Sequence, residues 1–319
     1  MVVEILLGVF LLLSFLVVLT TQRLILRKIR MLILDFPRLD HDKVLNTRKE
    51  QSAVPQGFET WNWKTEEVHS PWRGPMTLEW TSGEIPERTA IFVHGTATNR
   101  FSMIRYMRPY KDLGFNLVFY DHPGHGLHQD PPPSYGWYEK GELDFVVDRV
   151  REHFPQTNLW VFHGESLGSG VIMDYLGAYP PNKKENRLGV LDCGYTDFSQ
   201  LINHHLKRWG LPGIIRKWAL KKTRKLLLRR SLAPLESLTP GKSVQNTCEP
   251  LLLIHGLEDI RVPFFMSQNL YDSRKNIAYT ELHLVPGARH CSSWLMDPQL
   301  YDKWVRDFIL SQGSKNVGN

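Results

Sequence analysis

A chain of 319 residues with 42% hydrophobic side chains can bury an α/β core of ~250 residues and leave material at its ends. Its three cysteines, Cys193, Cys248 and Cys291, are scattered without paired spacing, which argues against a disulfide framework or a zinc site and suits a reducing compartment. The formal charge of +6 is local: four positives follow the apolar N-terminus and ten lie between Lys207 and Arg230, and without those fourteen, 25 basic residues face 33 acidic ones. No groove-binding motif accompanies either patch, so no nucleic-acid partner is expected.

Taken in chain order, residues 5 to 19, ILLGVFLLLSFLVVL, carry no charge, and Glu4 is the sole ionisable side chain before Arg23. That run is close to the ~20 apolar residues a membrane-spanning helix needs. No basic region precedes it and no small-x-small site follows, so an uncleaved single-pass anchor is expected rather than a signal peptide. Arg23, Arg27, Lys28 and Arg30 sit just behind it and place the downstream domain in the cytoplasm by the positive-inside tendency. The expected division is an anchor with its basic flank over 1–34, a polar linker over 35–57, a main domain over 58–312 and a tail over 313–319.

Trp61 to Trp80 reads as early strands with turns at Pro71 and Gly74-Pro75. Short apolar runs without polar alternation follow at 89–95, 115–121, 159–164, 188–194, 250–256 and 279–287, the pattern of strands buried on both faces. Amphipathic segments separate them, such as Glu142 to Phe154 with Leu143, Val146, Val147 and Val150 on one face. The expected fold class is α/β: a mostly parallel, doubly wound sheet with helices on both faces.

The third of those runs ends in HGESLGSG. Taken alone, a G-x-S-x-G pentad carries little specificity. Here a buried strand enters it and a helical segment, SGVIMDYLGAY, leaves it. A strand-to-helix turn that tight crowds its central residue, and Gly164 and Gly168 remove the side chains that would collide. Ser166 then projects from the sheet with its hydroxyl exposed; the plainer alternative is a serine that merely caps the helix.

A serine hydroxyl attacks poorly near neutral pH without a base and a group that orients the base. Asp259 follows the run ending at Gly256, and His290 follows the run ending at Gly287, giving the order Ser, Asp, His. His94 and His255 immediately precede strand-ending glycines, where packing is the expected role; His283 lies inside a strand, and Glu258 competes with Asp259. The backbone amides of Leu167, next after the serine, and Thr96, next after His94-Gly95, are the expected oxyanion donors.

Five stretches in this order, IFVHGTATN, VFYDHPGHG, HGESLGS, LLLIHGLEDIRVP and VPGARHCS, resemble the serine hydrolase pattern of the α/β-hydrolases. With SYGWYEKGELD, the chain is similar to bacterial membrane-anchored members of the prolyl-oligopeptidase-related branch over roughly residues 60 to 312. That resemblance implies an α/β-hydrolase fold and hydrolysis through an acyl-enzyme on Ser166, with His290 as base, Asp259 fixing its tautomer, and no metal or organic cofactor. It leaves the substrate open, since such folds serve esterases, thioesterases, lipases and peptidases, and a non-catalytic tethered binding protein is the rival of another class.

The connection from Thr196 to Glu249 is far longer than such connections usually are, and insertions there form helical caps. Its segment 207–230 mixes Ile214, Ile215, Trp218, Leu220 and Leu226 to Leu228 with ten positives, the composition of a helix lying on an anionic bilayer. A cap whose leucines face the core and whose lysines are simply hydrated accounts for it equally. The expected substrate is an ester or thioester, lipid-like, presented near the membrane.

Overall fold

The computed structural model describes residues 1–128, 130–182, 185–245 and 247–313. Its first element, α1 (Val2–Ile33), is 32 residues long and apolar enough to cross a membrane. The helix continues well past Leu19 because Ile25, Ile29 and Ile33, spaced four apart, form a single buried stripe in the main core. The segment expected as a linker contains a helix, α2 (His41–Glu50), capped by Asp40 accepting from the Lys43 amide at 2.7 Å. Its polar composition hides it, since Val44 is its one buried residue.

Eight strands form one sheet: β1 (Lys64–Ser70), β2 (Gly74–Thr81), β3 (Arg88–Val93), β4 (Asn116–Tyr120), β5 (Leu159–Glu165), β6 (Asn186–Asp192), β7 (Leu251–Gly256) and β8 (Thr280–Val285). The order is β1-β2-β4-β3-β5-β6-β7-β8, with β2 antiparallel to both neighbours and every later pairing parallel. Strands β4 to β7 are buried at every position, as their unbroken apolar runs require, whereas edge strand β8 is half-buried. The chain places β4 on one side of β3 and β5 on the other, so the strand order reverses there. Ligands in open α/β sheets bind at the carboxyl ends of strands at such a reversal.

The helices after α2 are α3 (Arg108–Asp112), α4 (Glu139–His153), α5 (Leu167–Ala178), α6 (Phe198–Arg208), α7 (Gly213–Arg230), α8 (Pro240–Val244), α9 (Phe265–Arg274), α10 (Ser293–Met296) and α11 (Pro298–Gly313). Two clusters of buried side chains, one with α1, α4, α5, α6 and α7, the other with α3 and α11, occupy the faces of the sheet. The long connection between β6 and β7 carries α6, α7 and α8. Helix α6 buries Leu201, Ile202 and Leu206, whereas α7 buries only the narrow stripe Ala219, Thr223 and Leu227. Of the tail expected over 313–319, Gly313 ends α11, and 314–319 lie outside the described residues.

A side chain at Gly168 has nowhere to go: a Cβ there would stand 1.9 Å from the Val93 carbonyl oxygen on β3. Gly168→Ala therefore forces α5 off the sheet and is expected to cost at least about 1–3 kcal/mol, as overpacking does. A thermal unfolding scan checks this; an unchanged midpoint shows that the contact is looser than described.

Candidate active site

Strand β5 ends at Glu165 and α5 begins at Leu167, so a single residue, Ser166, makes the turn. Its backbone lies at φ 53° and ψ −111°, a region that costs a non-glycine residue about 1–3 kcal/mol. The surroundings hold it there. The Ser166 amide donates to the Asp192 carbonyl at 2.9 Å, and the Ser169 hydroxyl bonds the Gly164 and Asp192 carbonyls at 2.8 and 2.9 Å. A Cβ on Gly164 would come within 2.6 Å of the backbone at Gly168 and Ser169, so both glycines are needed for the close passage of strand and helix. Ser166 occupies the helix-cap position, but its side chain makes no capping bond.

Its hydroxyl instead lies 2.9 Å from His290 Nε2, and His290 Nδ1 lies 2.6 Å from Asp259 Oδ2. The other carboxylate oxygen accepts from the Arg261 and Val262 amides at 2.8 and 2.9 Å, which fixes the aspartate's rotamer. Burial opposes ionisation of Asp259, but bonds from His255 and His290 outweigh it and hold the group well below the usual carboxylate range. An ionised Asp259 requires a proton on His290 Nδ1, and in the neutral ring this leaves Nε2 free to accept from the serine. Its rival Glu258 points into solvent. His255 is fully buried between the Ser267 hydroxyl and the Val262 carbonyl, 3.4 Å from Asp259. His94 is also buried, and its Nε2 accepts from the His122 amide at 3.0 Å, anchoring the loop after β4. His283 stacks on Trp304 away from the site.

Thr96 and Leu167 border the same cavity as Ser166, one from the loop after β3 and the other from the first turn of α5. That cavity measures about 780 Å³. Two remote segments contribute to its apolar walls: Met31 and Ile33 of α1 with Phe36 just beyond it, and Phe198, Leu201 and Ile202 of α6. Only the second was foreshadowed by sequence. The signal for the first is the isoleucine spacing in α1, which marks a buried face beyond the membrane-length run.

Two further groups escape sequence reasoning. Beneath the turn, Glu165 is buried and paired with Arg105 at 2.5 Å and with the Ser102 hydroxyl at 2.7 Å. Burial opposes its charge, but Arg105 outweighs it and keeps Glu165 below its ordinary range. Beside the imidazole, Cys193 and Cys291 lie with their sulfurs 3.3 Å apart, both with left-handed backbones, although 98 positions separate them. Cys193, Cys291 and His290 are also a grouping of three side chains able to ligate a metal, with ligand atoms within 4.8 Å of one another. Ligation by His290 would compete with the bonds to Asp259 or Ser166.

Ser166, His290 and Asp259 lie in hydrogen-bond succession at the carboxyl ends of parallel strands, the geometry that activation of a serine hydroxyl requires. A family model described as the alpha/beta hydrolase family matches residues 90–303, two thirds of the chain. The chain belongs to that family. It is similar to YqkD of Bacillus subtilis, an uncharacterized protein, with 27% identity over 223 residues, 69% of this chain and 70% of the relative. Among solved structures, the esterase Pf2001 of Pyrococcus furiosus matches with TM-score 0.64 and 20% identity over 86% of this chain and 98% of that one. An acylaminoacyl peptidase of Pyrococcus horikoshii matches with TM-score 0.59 and 18% identity over 78% of this chain and 42% of that one. The structural likenesses concern the fold.

Burial disfavours the His290 imidazolium, but the Cys291 sulfur and the Asp259 carboxylate outweigh it and push the group up to about 10. Only the neutral ring accepts the serine proton, so phosphonylation of Ser166 by a fluorophosphonate is expected to rise with pH above the ordinary histidine range near 6.5. Cys291→Ala removes an anionic neighbour that favours the imidazolium, so the same limb should move to lower pH. Labelling profiles of both proteins test this; coincident curves would show that Cys291 does not tune the base.

Proposed function

We propose that the protein is a serine acyl hydrolase that cleaves an ester or thioester of a lipid-like substrate presented at a membrane. The observation that carries this reading is the chain of contacts from Ser166 Oγ to His290 at 2.9 Å and on to Asp259 at 2.6 Å, at the base of an apolar cavity bordered by the end of α1. His290 takes the serine proton as the hydroxyl attacks the acyl carbon, and Asp259 stabilises the resulting imidazolium. The amides of Thr96 and Leu167 bind the oxyanion. His290 then protonates the leaving alcohol or thiol and activates the water that releases the acid.

Helix α1 supports single-pass membrane attachment, with the catalytic domain on the cytoplasmic side as Arg23, Arg27, Lys28 and Arg30 favour. The basic face of α7 supports contact with the same leaflet. A peptidase reading draws on the acylaminoacyl peptidase likeness, but this chain corresponds to 42% of that one, and the apolar wall of Met31, Ile33, Phe36 and α6 favours an acyl chain. A purely binding role leaves the strained backbone of Ser166 without purpose.

Ser166→Ala is expected to lower p-nitrophenyl ester hydrolysis by roughly 10³- to 10⁶-fold, and Asp259→Asn by on the order of 10⁴ through loss of the productive tautomer. A series of p-nitrophenyl esters from acetate to palmitate should favour medium or long chains. Turnover confined to acetate and butyrate, indifferent to added liposomes, removes the lipid reading while leaving the hydrolase intact.

A further inference from the structure

The basic residues on α1 and α7 are placed in rows. Arg23, Arg27 and Arg30 recur at i, i+4 and i+7 and so share one face of α1; Lys222, Lys225 and Arg229 recur at i, i+3 and i+7 and share one face of α7. The two helices pack together, and both rows line one cavity of about 680 Å³. Asp35 is the one acid in its wall, and it is already paired with Arg30. Among the described residues no carboxylate lies within ion-pair range of Arg23, Arg27, Lys222, Lys225 or Arg229, whereas Arg224, outside the groove on the same helix, is paired with Glu236. Two facing rows of like charge repel unless an anion lies between them.

We propose that this groove binds the phosphate of an anionic glycerophospholipid headgroup from the leaflet facing the catalytic domain. The proposal rests on α1 spanning a bilayer. Its uncharged stretch from Ile5 to Gln22 is roughly 27 Å long at the helical rise, close to the thickness of a hydrocarbon core, so Arg23 and the groove stand at headgroup depth. Inorganic phosphate offers the same charge, but Leu26 and Leu226 also line the groove and present apolar surface for the glycerol and first methylenes of a lipid. The site is separate from the catalytic cavity, which α1 reaches only with Met31 to Ile33. One helix therefore holds a resident lipid along its flank and walls the acyl cavity at its end.

The full chain, purified in dodecyl maltoside, is titrated with phosphatidylglycerol, with phosphatidylcholine of identical acyl chains, and with inorganic phosphate, with binding read by native mass spectrometry. Phosphatidylglycerol should bind at least tenfold tighter than phosphatidylcholine. The variant Lys222→Glu/Lys225→Glu/Arg229→Glu, whose changes are all on exposed positions, should lose that preference. Arg23→Gln/Arg27→Gln is the second variant, should the first shift the unfolding midpoint. Equal affinity for the two lipids, or a preference that survives in both variants, overturns the site. Displacement of phosphatidylglycerol by equimolar inorganic phosphate overturns its assignment to a lipid. Alkaline extraction of membranes tests α1 separately: a released chain refutes the span and the leaflet, while the detergent titration still reports on the groove.

Discussion

The arrangement depends on one backbone conformation, that of Ser166 at φ 53° and ψ −111° between β5 and α5. A side-chain-bearing residue stays in that region only when its surroundings over-determine it. The hydrogen bonds to Asp192 and the close approach of Gly164 and Gly168 do so here. The turn directs the hydroxyl to His290 instead of to the α5 amides, and it sets Leu167 at the head of the helix beside the loop of Thr96. A strand continuing straight, or a helix starting one residue later, would separate the Ser166 hydroxyl from the His290 imidazole.

Charge buried behind the turn completes the support. The pair Arg105 and Glu165 lies beneath Ser166, and Asp192, whose carbonyl holds Ser166, carries a carboxylate contacted by the Tyr106, Tyr301 and Ser293 hydroxyls at 3.2 Å each. Burial raises the Asp192 carboxyl above its ordinary range, whereas Glu165, with a guanidinium at hand, stays ionised. Breaking one partner of such a pair leaves an uncompensated charge in the interior, which couples the turn to the α3 side of the sheet. The thiols of Cys193 and Cys291 put a polarizable, titratable pair next to the imidazole, so the electrostatics of His290 depend on more than Asp259.

Helix α1 joins the apolar N-terminus to the chemistry. It docks through Ile25, Ile29 and Ile33, the Tyr135 hydroxyl donates to the Ile33 carbonyl at 2.5 Å, and the residues that follow line the cavity. The last turns of the N-terminal helix are thus part of the domain's core, and the cavity lies at its far end, past the membrane-length run.

The amino-acid sequence by itself determined what local pattern can encode. Unbroken apolar runs marked the buried parallel strands, the glycines around Ser166 marked a crowded turn, and short polar loops after β7 and β8 carried Asp259 and His290 in order along the chain. Strands parallel to one another present those loops at one edge, which is why five separated motifs described one site. Tertiary structure alone decided that α1 walls the cavity, that a polar segment at His41–Glu50 is a helix packed beside the site, that Arg105 neutralises Glu165, and that two scattered cysteines meet. The physical reason is that each of these is a contact between remote parts of the chain, fixed by how helices dock on the sheet; local pattern marks at most that a face is buried, as the spacing of Ile25, Ile29 and Ile33 does, and not which remote residues that face meets.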